Sequence, residues 1–509
     1  MKHFMYFFVK TNMKKVRTRI APSPTGFATI GNLRTALFNY LLAKKYGGEF
    51  VLRIEDTDKK RSVVGSEEYM IKSLEWLGIT PDDGINSDGT AMYRQSEREY
   101  KSFIDKLIEK DSAYFAFDSE EELKIVRDNS GKKPFSYNSK TRGFMKNSET
   151  LSIEEVECRI NNGDNYVIRF KMPENREVKF FDLIYGETTF NTDDLDDKII
   201  LKSDGTPTYH GGVVIDDYLM GITHVVRGNE WISSTPLHIL MYEAFGWDIP
   251  EFAHVPLLLD KKGKKISKRR AKEYDFPISI FEYSDEDSGE IIQGFKELGY
   301  EPEAILNALS LLGWNSGTDR EIYSKEELIN EFSLERVGNS DARVDGDKIK
   351  WFNSHYIRNK PADYILENMG IPEGFIWQLN DDKLDLIAKF ATERAIFVTE
   401  LKGSMSYLYS DIDLSEIKFK NVDEFMKVMK FENTISFDAD FSTPDSIRVA
   451  LESTCTRVNV PIGKIMPMLR MALAGGVPGP QLPDIMYLIG KEESMSRIDA
   501  MLCRMRDLV

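Results

Sequence analysis

A strand, a glycine-bearing turn, a helix and a second strand follow one another within residues 15 to 54. Basic and less polar side chains alternate from Lys15 to Ile20, which predicts a strand. Apolar side chains then recur with helical spacing from Leu33 to Leu41, and Gly47-Gly48 ends that helix. The run from Phe50 to Ile54 is a second short strand. This order predicts a parallel sheet with a right-handed crossover, in which ligands bind where strand ends meet helix starts.

The pattern changes twice farther along the chain. Between about residues 96 and 194, helical stretches mix with β-rich runs such as Asn165 to Lys171, as expected of an insertion into a nucleotide-binding sheet. Strand-like apolar runs return at Gly212 to Asp216 and Thr223 to Val226, and a helical run follows from Pro236 to Phe245. From about residue 300 the periodicity is almost purely helical. We therefore predict an α/β chain: a Rossmann-like parallel-sheet domain with an α+β insertion, followed by all-α domains.

A chain of 509 residues, of which 41% are hydrophobic, has room for about three to five domains. The changes of pattern place the sheet domain in two halves, 15–95 and 195–255, separated by an insertion at 96–194. A lysine-rich domain is expected at 256–325 and a helical region at 326–509. Residues 1–14 are expected to be a disordered extension, because the periodic sequence begins only after Met13.

Residues 257 to 270 gather seven cations around Gly263, all between Lys261 and Arg270. The whole chain carries a net charge of −16, so such a density calls for a local anionic partner. A mobile lysine loop suits phosphoryl chemistry, because the charge that develops on phosphate oxygens needs cations delivered as the transition state forms. On its own, the same run is also typical of a solvated charged surface or of a nucleic-acid patch.

The turn before the first helix offers a place for such an anion. It reads Arg19-Ile-Ala-Pro-Ser-Pro-Thr-Gly26 and leads through Phe27 to Asn32 into the helix. A helix N-terminus presents unpaired N–H groups and partial positive charge, and a glycine lets an anion approach the backbone, so a triphosphate would fit. A purely structural turn explains these residues equally well.

The cysteines and the hydropathy pattern exclude several classes of protein. Cys158, Cys455 and Cys503 are too few and too scattered for a disulfide framework or a four-ligand zinc site, which favours a reducing compartment. The apolar run from Phe4 to Val9 is shorter than the ~7 to 15 residues of a signal-peptide core, and no stretch approaches the ~18 residues of a membrane span. We expect a cytoplasmic protein without a membrane role.

The order and spacing of the two charged segments favour the chemical interpretation. Lys265-Ile-Ser-Lys-Arg269 follows the turn by about 235 residues, after the interrupted sheet, and this arrangement resembles the class I aminoacyl-tRNA synthetases. More narrowly, the chain resembles glutamyl-tRNA synthetase of the bacterial type. The resemblance rests on Arg19 to Gly26, Arg34-Thr-Ala-Leu-Phe-Asn39, Arg53-Ile-Glu-Asp-Thr-Asp58, Tyr93-Arg-Gln-Ser96, Pro207-Thr-Tyr-His210, Asp216-Asp217, Gly221-Ile-Thr-His224, Arg227-Gly228, Glu230-Trp231 and Lys265 to Arg269. It extends into Ala304 to Trp314 and Phe332 to Val337, and then thins out in the C-terminal third.

The resemblance implies a two-step reaction. Glutamate and ATP give glutamyl-adenylate and pyrophosphate, and the glutamyl group then moves to the terminal adenosine of tRNA(Glu). It implies that bound tRNA is needed for activation and that Mg²⁺ arrives on the ATP phosphates with most of its waters kept. We expect a monomer. In such an enzyme, 96–194 would bind the acceptor end of the tRNA, 256–325 would contact its stem and 326–509 would read its anticodon.

Motif by motif, the resemblance also implies a glutamate pocket and an ATP site. A substrate with two carboxylates requires guanidinium groups, whose rigid fork pairs bidentately with a carboxylate. Arg19 and Arg227, with Tyr209, are expected to read these carboxylates, and Glu55 is expected to pair with the ammonium group. The remaining expected residues are Ala21, Ser23 and Val213 for glutamate; Gly31, Glu230, Leu258, Lys265, Ile266, Ser267, Lys268 and Arg269 for ATP; and Thr29, Gly31, Asn32, Lys265 and Lys268 for catalysis. Outside this framework, Glu55 could simply pair with Arg53, Arg227 could lie on the surface and Tyr209 could be a core aromatic.

One departure from the family pattern concerns catalysis. The first signature normally begins with a histidine, whereas this chain reads Thr29-Ile30-Gly31-Asn32. A threonine hydroxyl donates one hydrogen bond but carries no charge, and the loss of one such donor costs about 2.7 to 4 kcal/mol, or ~10² to 10³ in rate. His210 and His224 are not obvious substitutes. We therefore predict a slowed but competent enzyme.

Two further departures concern binding. Val213 stands where some members of the family have a polar residue beside the glutamate pocket. The zinc knuckle of some relatives is missing, because neither Ala113 to Phe117 nor Tyr137 to Thr141 contains a cysteine. We therefore predict no structural zinc and no metal held by the protein itself.

Four rival functions are compatible with parts of the pattern. A glutaminyl-tRNA synthetase shares the front half but usually carries a β-barrel anticodon domain, which the helical back half argues against. The short paralogue that glutamylates a queuosine base lacks the back half altogether. A non-catalytic tRNA-binding homologue would explain Thr29, although both arginines and Glu55 are retained. A plain nucleotidylyltransferase would match the two signatures but not the helical region beyond residue 300, and charging of tRNA(Gln) as well as tRNA(Glu) stays open.

Overall fold

The computed structural model describes residues 15–129, 135–285, 288–413, 440–457 and 459–506. The chain divides into two compact units, one made of Met1–Glu297 and Pro302–Phe352 and the other of Leu298–Glu301 and Asn353–Val509. The first unit is α/β and the second is helical, as the sequence predicted. The extension expected at residues 1–14 lies outside the described residues.

The helices and strands run as follows. In the first unit they are β1 (Arg17–Ile20), α1 (Ile30–Lys45), β2 (Glu49–Leu52), α2 (Ser66–Trp76), α3 (Lys101–Glu109), β3 (Ala113–Ala116), α4 (Glu120–Asn129), α5 (Ile153–Asn161), β4 (Val167–Phe170), β5 (Glu177–Asp182), β6 (Gly186–Asn191), β7 (Ile199–Leu201), α6 (Tyr209–Leu219), β8 (His224–Gly228), α7 (Thr235–Phe245), β9 (Glu251–Val255), β10 (Leu258–Leu259), β11 (Tyr283–Ser284), β12 (Ile291–Ile292), α8 (Phe295–Leu298), α9 (Pro302–Ser310), α10 (Lys325–Glu331), β13 (Ala342–Arg343) and α11 (Gly346–Arg358), with α8 and α11 reaching the division between the units. In the second unit they are α12 (Ala362–Met369), α13 (Glu373–Ile376), α14 (Asp381–Thr392), α15 (Pro444–Arg457), α16 (Ile462–Ala474) and α17 (Leu482–Arg506).

The βαβ unit predicted at the start of the chain is confirmed. Strands β1 and β2 pair in parallel, with Arg17 opposite Glu49, and α1 forms the crossover between them. Most of α1 is buried, because apolar side chains cover nearly its whole circumference. The helix ends where predicted: Gly47 has a φ of +61°, and a Cβ on Gly48 would lie 2.0 Å from the carbonyl oxygen of Val16. Only a glycine lets the chain return this closely against β1.

A second set of strands continues the parallel arrangement. Strands β8 and β9 pair in parallel, β5 joins β9 in parallel, and β6 pairs antiparallel with β5. The amide of Thr223 donates to the carbonyl oxygen of Arg17 at 2.9 Å and so links the start of β1 to the start of β8. Because β5 pairs with β9, the hairpin β5–β6 extends the sheet that contains β8 and β9. The residues of this hairpin fall within the stretch 96–194 that the sequence predicts as an insertion.

One sequence prediction in this region is wrong. The run from Gly212 to Asp216 was predicted as a strand but lies within helix α6. Its apolar residues are buried, including Val213 at 2% exposure. A run that is apolar throughout has no amphipathic period, so the sequence alone cannot distinguish a buried helix from a buried strand here. Two adjacent glycines and a β-branched run also lower the helix propensity of the segment. The other predicted strand, Thr223 to Val226, is confirmed as part of β8.

The second unit packs its helices around an apolar cluster of its own. Helix α14 begins at Asp381 and ends at Thr392, within the region that the sequence predicts to be helical. Helix α17 is interrupted at Gly490, whose φ is +83°. Among the helices in the described ranges, none combines the length and the apolar character that a membrane crossing needs.

The pH dependence of stability can be predicted from His224, which is buried at the start of β8. Burial lowers the pKa of His224 to about 4. The unfolded chain takes up a proton near pH 6.5 while the folded chain does not, so stability must fall as the pH drops below 6.5. The difference amounts to about 2 kcal/mol between pH 7 and pH 5 for this one group.

A His224→Gln chain should therefore lose about 2 kcal/mol less stability than the wild type when it is acidified from pH 7 to pH 5. Urea unfolding of both chains at the two pH values measures this difference. Equal losses in the two chains would contradict the assignment of a neutral buried imidazole.

Candidate active site

A cleft of about 1220 Å³ lies at the carboxyl ends of the parallel strands. The residues that follow β1, β2, β8 and β9 supply most of its walls, because parallel strands bring their carboxyl ends to one edge of the sheet. The residues predicted for the site that line this cleft are Arg19, Ala21, Ser23, Thr29, Gly31, Asn32, Glu55, Tyr209, Arg227, Glu230, Leu258, Lys265 and Ile266.

A buried ion network holds the floor of the cleft together. Arg53 is fully buried, and it donates from Nη1 to Oδ1 of Asp217 at 2.7 Å and from Nη2 to Oε1 of Glu55 at 3.0 Å. Asp217 also accepts from Nε of Arg19 at 3.1 Å. The network thus joins the end of β1, the end of β2 and helix α6 through charged groups that are all desolvated.

The pKa values of two carboxyl groups in the network shift in opposite directions: that of Asp217 is lowered and that of Glu55 is raised. Burial alone would raise the pKa of Asp217, but the guanidinium groups of Arg19 and Arg53 hold it below its usual value. Burial raises the pKa of Glu55, and the neighbouring Arg53 only partly offsets this. Glu55 therefore faces the cleft as a carboxyl group that an additional cation would help to ionise.

Asp216, next in sequence to Asp217, is fully buried and has a separate set of donors. Its Oδ2 accepts from Nε2 of Gln95 at 2.8 Å and from the hydroxyl of Tyr100 at 3.0 Å, and its Oδ1 accepts from Arg98 at 2.7 Å. Gln95 is 1% exposed and also lines the cleft, where a Cβ on Gly212 would lie 2.8 Å from its Nε2. The glycine therefore provides the space that the glutamine amide occupies.

Arg227 is held in a different way, by neutral acceptors. Its Nη1 donates to the hydroxyl of Tyr209 at 3.2 Å, its Nη2 to Oγ1 of Thr235 at 2.9 Å and its Nε to Nε2 of His254 at 3.1 Å. The ring of Tyr209 lies against that of Trp231 with centroids 4.0 Å apart. This packing fixes both the tyrosine and the arginine in the wall of the cleft.

The N-terminus of α1 points into the same cleft. Thr29 precedes the helix, and Thr29, Gly31 and Asn32 all line the cavity. The backbone amide and the hydroxyl of Thr29 both lie 3.1 Å from Oδ1 of Asn32, which can accept from them. First-turn amides of a helix have no partners within the helix, so this end presents donors and partial positive charge to an anion.

The lysine-rich loop is shaped by Asp260 and reaches over the turn that precedes α1. Oδ1 of Asp260 accepts from the amides of Lys262 at 2.9 Å and Lys264 at 2.8 Å. Lys265 Nζ lies 3.8 Å from a carboxylate oxygen of Glu230 on the far wall. Gly26 has a φ of +143°, and a Cβ on it would lie 2.4 Å from Nζ of Lys268. Gly26 and Lys268 are 242 positions apart in the sequence, so the loop and the turn meet at one end of the cleft although they are distant along the chain.

Four of the predicted site residues do not line the cleft. Val213 is buried in an apolar cluster of the first unit, so the structure gives it no contact with a ligand there. Ser267, Lys268 and Arg269 belong to the lysine-rich loop but do not line the cleft, and the amide of Ser267 donates to the hydroxyl of Tyr274 at 3.1 Å. Lys268 is nevertheless adjacent to the turn, as its distance to Gly26 shows.

Several cleft residues were missed in the sequence. Lys59, Lys60 and Arg61 form a short helical turn after β2 and line the cavity, together with Lys202 and Trp231. The run of three cations directly after the Arg53 to Asp58 segment was a signal that could have identified them. Lys202 carries no such signal, because an isolated lysine is common on protein surfaces, and Trp231 stands out only as the neighbour of Glu230 in one of the family motifs.

The described part of the chain contains no group of three or more His, Cys, Asp or Glu side chains arranged to hold a metal ion. The expectation of no structural zinc stays a prediction.

Comparisons with known proteins agree with this geometry. The family model described as "tRNA synthetases class I (E and Q), catalytic domain" matches residues 15–351, and an anticodon binding domain matches residues 360–502. A glutamate–tRNA ligase of Amoebophilus asiaticus (strain 5a2) is 43% identical over 502 residues, which cover 95% of this chain and 97% of the relative. The chain belongs to the glutamate–tRNA ligase family of class I tRNA synthetases.

Two solved structures of this family resemble the chain over nearly its whole length. A glutamate tRNA ligase from Elizabethkingia meningosepticum CCUG26117, solved in complex with its amino acid, is 39% identical with a TM-score of 0.86 and covers 97% of this chain and 100% of its own. A glutamate-tRNA synthetase from Elizabethkingia anophelis is 40% identical with a TM-score of 0.83 and covers 96% and 100%. The resemblance inferred from the motifs is confirmed.

The contribution of the buried network to stability can be tested at Arg53. Arg53→Gln leaves Asp217 and Glu55 without their shared cation in a desolvated site, which should lower the free energy of unfolding by about 3 to 5 kcal/mol. Urea unfolding at pH 7 measures the change. Lys72→Gln is the matched control, because Lys72 pairs with Glu68 on the exposed face of α2, and it should leave the free energy nearly unchanged. A small effect at Arg53 would contradict the role assigned to the network.

Proposed function

We propose that this protein ligates L-glutamate to tRNA(Glu) at the expense of ATP, through a glutamyl-adenylate intermediate. The observation that carries the proposal is the grouping of Arg19, Arg227 and Glu55 in one cleft with the N-terminus of α1 and Lys265. Two guanidinium groups and a carboxylate match a dicarboxylic amino acid, and a helix N-terminus with a lysine matches a polyphosphate. The membership of the family supports both halves of this assignment.

In the proposed complex, the amino acid lies against the floor of the cleft. Arg227 and Arg19 bind its two carboxylates, and Glu55 pairs with its ammonium group. The ammonium is the additional cation that favours the ionised form of Glu55, whose pKa burial raises. Ala21 and Ser23 line the turn above it, and Tyr209 supports Arg227 through its hydroxyl.

ATP is proposed to bind between α1 and the lysine-rich loop. Gly31 and Asn32 offer first-turn amides to the phosphates, and Leu258 and Ile266 supply apolar contact. Glu230 completes the proposed nucleotide set within the cleft, and Ser267 and Arg269, which do not line it, are proposed to act from the adjoining part of the lysine-rich loop. Lys265 and Lys268 bring positive charge to the phosphates as it is needed in the transition state.

The first chemical step follows from this placement. An oxygen of the glutamate α-carboxylate attacks the α-phosphorus, the bond to the bridging oxygen of pyrophosphate breaks, and pyrophosphate leaves with the electron pair. In the second step a ribose hydroxyl of the terminal adenosine attacks the glutamyl carbonyl carbon and AMP leaves. Mg²⁺, when bound with the nucleotide, would neutralise phosphate charge and would be held by phosphate oxygens and water rather than by a protein cage.

Recognition of the tRNA is proposed to be divided along the chain. Residues 96–194 would bind the acceptor end, 256–325 the stem and 326–509 the anticodon, the last of which includes the matched anticodon binding domain at 360–502. Lys59, Lys60 and Arg61 line the cleft beside the proposed glutamate pocket and are placed to meet phosphates of the acceptor end. We also propose that the protein acts as a cytoplasmic monomer.

The function is tested by charging assays on purified tRNA(Glu) and tRNA(Gln), together with ATP–pyrophosphate exchange with and without tRNA. Glutamylation of tRNA(Glu), with exchange that depends on tRNA, is the expected result. Glutamylation of both tRNAs would indicate a non-discriminating enzyme. Exchange with no transfer to any tRNA would indicate a nucleotidylyltransferase, and neither activity would indicate a tRNA-binding homologue.

The threonine in the first signature gives a sharper prediction. Thr29→His restores a charged donor at the start of α1 and should raise the rate of pyrophosphate exchange by up to ~10². Thr29→Ala removes the remaining hydroxyl and should lower the rate. Exchange kinetics at saturating glutamate and ATP measure both effects. Rates that do not change in either variant would show that position 29 does not act on the phosphates.

A further inference from the structure

Arg227 is a buried cation whose protein partners are all uncharged. Ion pairs form nearby at Arg19 and Arg53, but among the described residues no carboxylate oxygen lies within 4.0 Å of an Arg227 nitrogen. Its hydrogen-bond acceptors among the described residues are hydroxyl, imidazole and carbonyl groups. A guanidinium in this setting keeps its full positive charge available to the cleft, where it is 5% exposed.

The imidazole of His254 connects Arg227 to a buried carboxylate. Nε2 of His254 lies 3.1 Å from Nε of Arg227, and Nδ1 of His254 lies 2.6 Å from Oδ2 of Asp182. Because Nε2 faces an arginine N–H, it must be the unprotonated nitrogen, and Nδ1 must carry the proton and donate it to Asp182. Both His254 and Asp182 are completely buried.

Asp182 is itself fixed by several donors at the end of β5. Its Oδ1 accepts from the amides of Ile184 and Tyr185, both at 2.9 Å. Its Oδ2 accepts from the backbone amide of His254 at 3.1 Å as well as from the ring. Every one of these contacts needs an acceptor, so only an ionised carboxylate satisfies the whole set.

In this arrangement the side chain of Arg227 is held in place without its positive charge being neutralised by an adjacent carboxylate. A carboxylate placed directly on Arg227 would hold it but would cancel the charge that attracts a second carboxylate. One imidazole between them keeps the anchor and moves the negative charge away from the cleft. Arg19, by contrast, already pairs with Asp217 at 3.1 Å, so its charge is partly compensated within the protein.

We propose that Asp182 and His254 are positioning residues for amino-acid selection: they hold Arg227 through a neutral acceptor, so that its charge is left for the side-chain carboxylate of glutamate. A glutamine carboxamide is neutral and cannot use that charge, whereas the α-carboxylate is common to both amino acids. The Asp182–His254 pair thereby favours glutamate over glutamine. This inference rests on the proposed function of the same cleft.

The experiment uses purified full-length chains and glutamylation of tRNA(Glu). His254→Phe keeps a planar ring but removes both nitrogens, and Asp182→Asn forces an amide NH₂ to face existing N–H donors. Each should raise KM for glutamate at least tenfold. The competitive inhibition constant for L-glutamine, kcat and KM for ATP should each stay within threefold of the wild type.

Two variants serve as rescue and control. In His254→Gln, the side-chain oxygen can replace Nε2 as an acceptor for Arg227, so KM for glutamate should return to within threefold of the wild type. His224→Gln changes another buried histidine of the first unit, whose Nδ1 lies 2.8 Å from Oγ1 of Thr223 and which does not line the cleft, and it should leave KM for glutamate unchanged.

Thr235→Val provides a milder test if the His254 and Asp182 variants do not fold. It removes Oγ1, which lies 2.9 Å from Nη2 of Arg227 and 3.1 Å from Nε2 of His254, with little change of shape. KM for glutamate should rise by more than threefold but by less than in His254→Phe, with kcat unchanged.

The proposal is overturned if His254→Phe weakens glutamate and glutamine equally, if kcat and KM for ATP change in step with KM for glutamate, or if KM for glutamate does not change. Calorimetric measurement of L-glutamate binding without tRNA distinguishes a failure of this inference from a failure of the proposed function. A wild-type chain that binds glutamate but charges no tRNA would refute the proposed function, whereas equal glutamate affinity in the wild type and His254→Phe would refute the inference.

Discussion

The fully buried guanidinium of Arg53 is the interaction on which the rest of the site depends. It lies between Asp217 and Glu55, at 2.7 and 3.0 Å, and Asp217 in turn holds Arg19. A desolvated charge is tolerated only when it is paired and hydrogen-bonded, so these side chains leave little freedom to β1, β2 and α6 at the edge of the sheet. The cleft has its shape because three distant segments must meet around one cation.

The arginines of the cleft divide into two kinds that serve different purposes. Arg19 and Arg53 pair with carboxylates of the protein, so Arg53 serves the structure and Arg19 is held in place for the ligand carboxylate that it is proposed to bind. Arg227 is held by neutral groups and keeps its charge for a ligand. At the other end of the cleft, Lys268 lies against Gly26, so positive charge borders the proposed ligands from both sides. The protein thus holds one guanidinium of the cleft through carboxylates and another through neutral groups.

Much of this could be predicted from the sequence, because some signals are local. The βαβ unit follows from alternation, helical spacing and Gly47-Gly48, and the lysine-rich loop follows from its charge density. The motif residues could be assigned to one cleft only through their resemblance to a family. Val213 shows the limit of prediction from the sequence. It was assigned to the glutamate pocket but belongs to the apolar core, and the sequence could not reveal this because a buried helix shows no amphipathic period.

What could not be predicted are contacts between residues distant in sequence. Asp182 and His254 are 72 positions apart, and each looks like an ordinary residue in its own segment. Gln95 and Gly212 meet only because α6 packs beside the end of β2. Such pairs follow from the three-dimensional arrangement of strands and helices, for which a single sequence carries no direct signal.

A crystal structure of the chain with L-glutamate and a non-hydrolysable ATP analogue would show whether one cleft seats glutamate beside ATP. We expect a carboxylate of the amino acid on Arg227, its ammonium group on Glu55 and the phosphates between the start of α1 and Lys268. An amino acid bound with its ammonium group facing Arg227, or a nucleotide bound away from the start of α1, would contradict this arrangement.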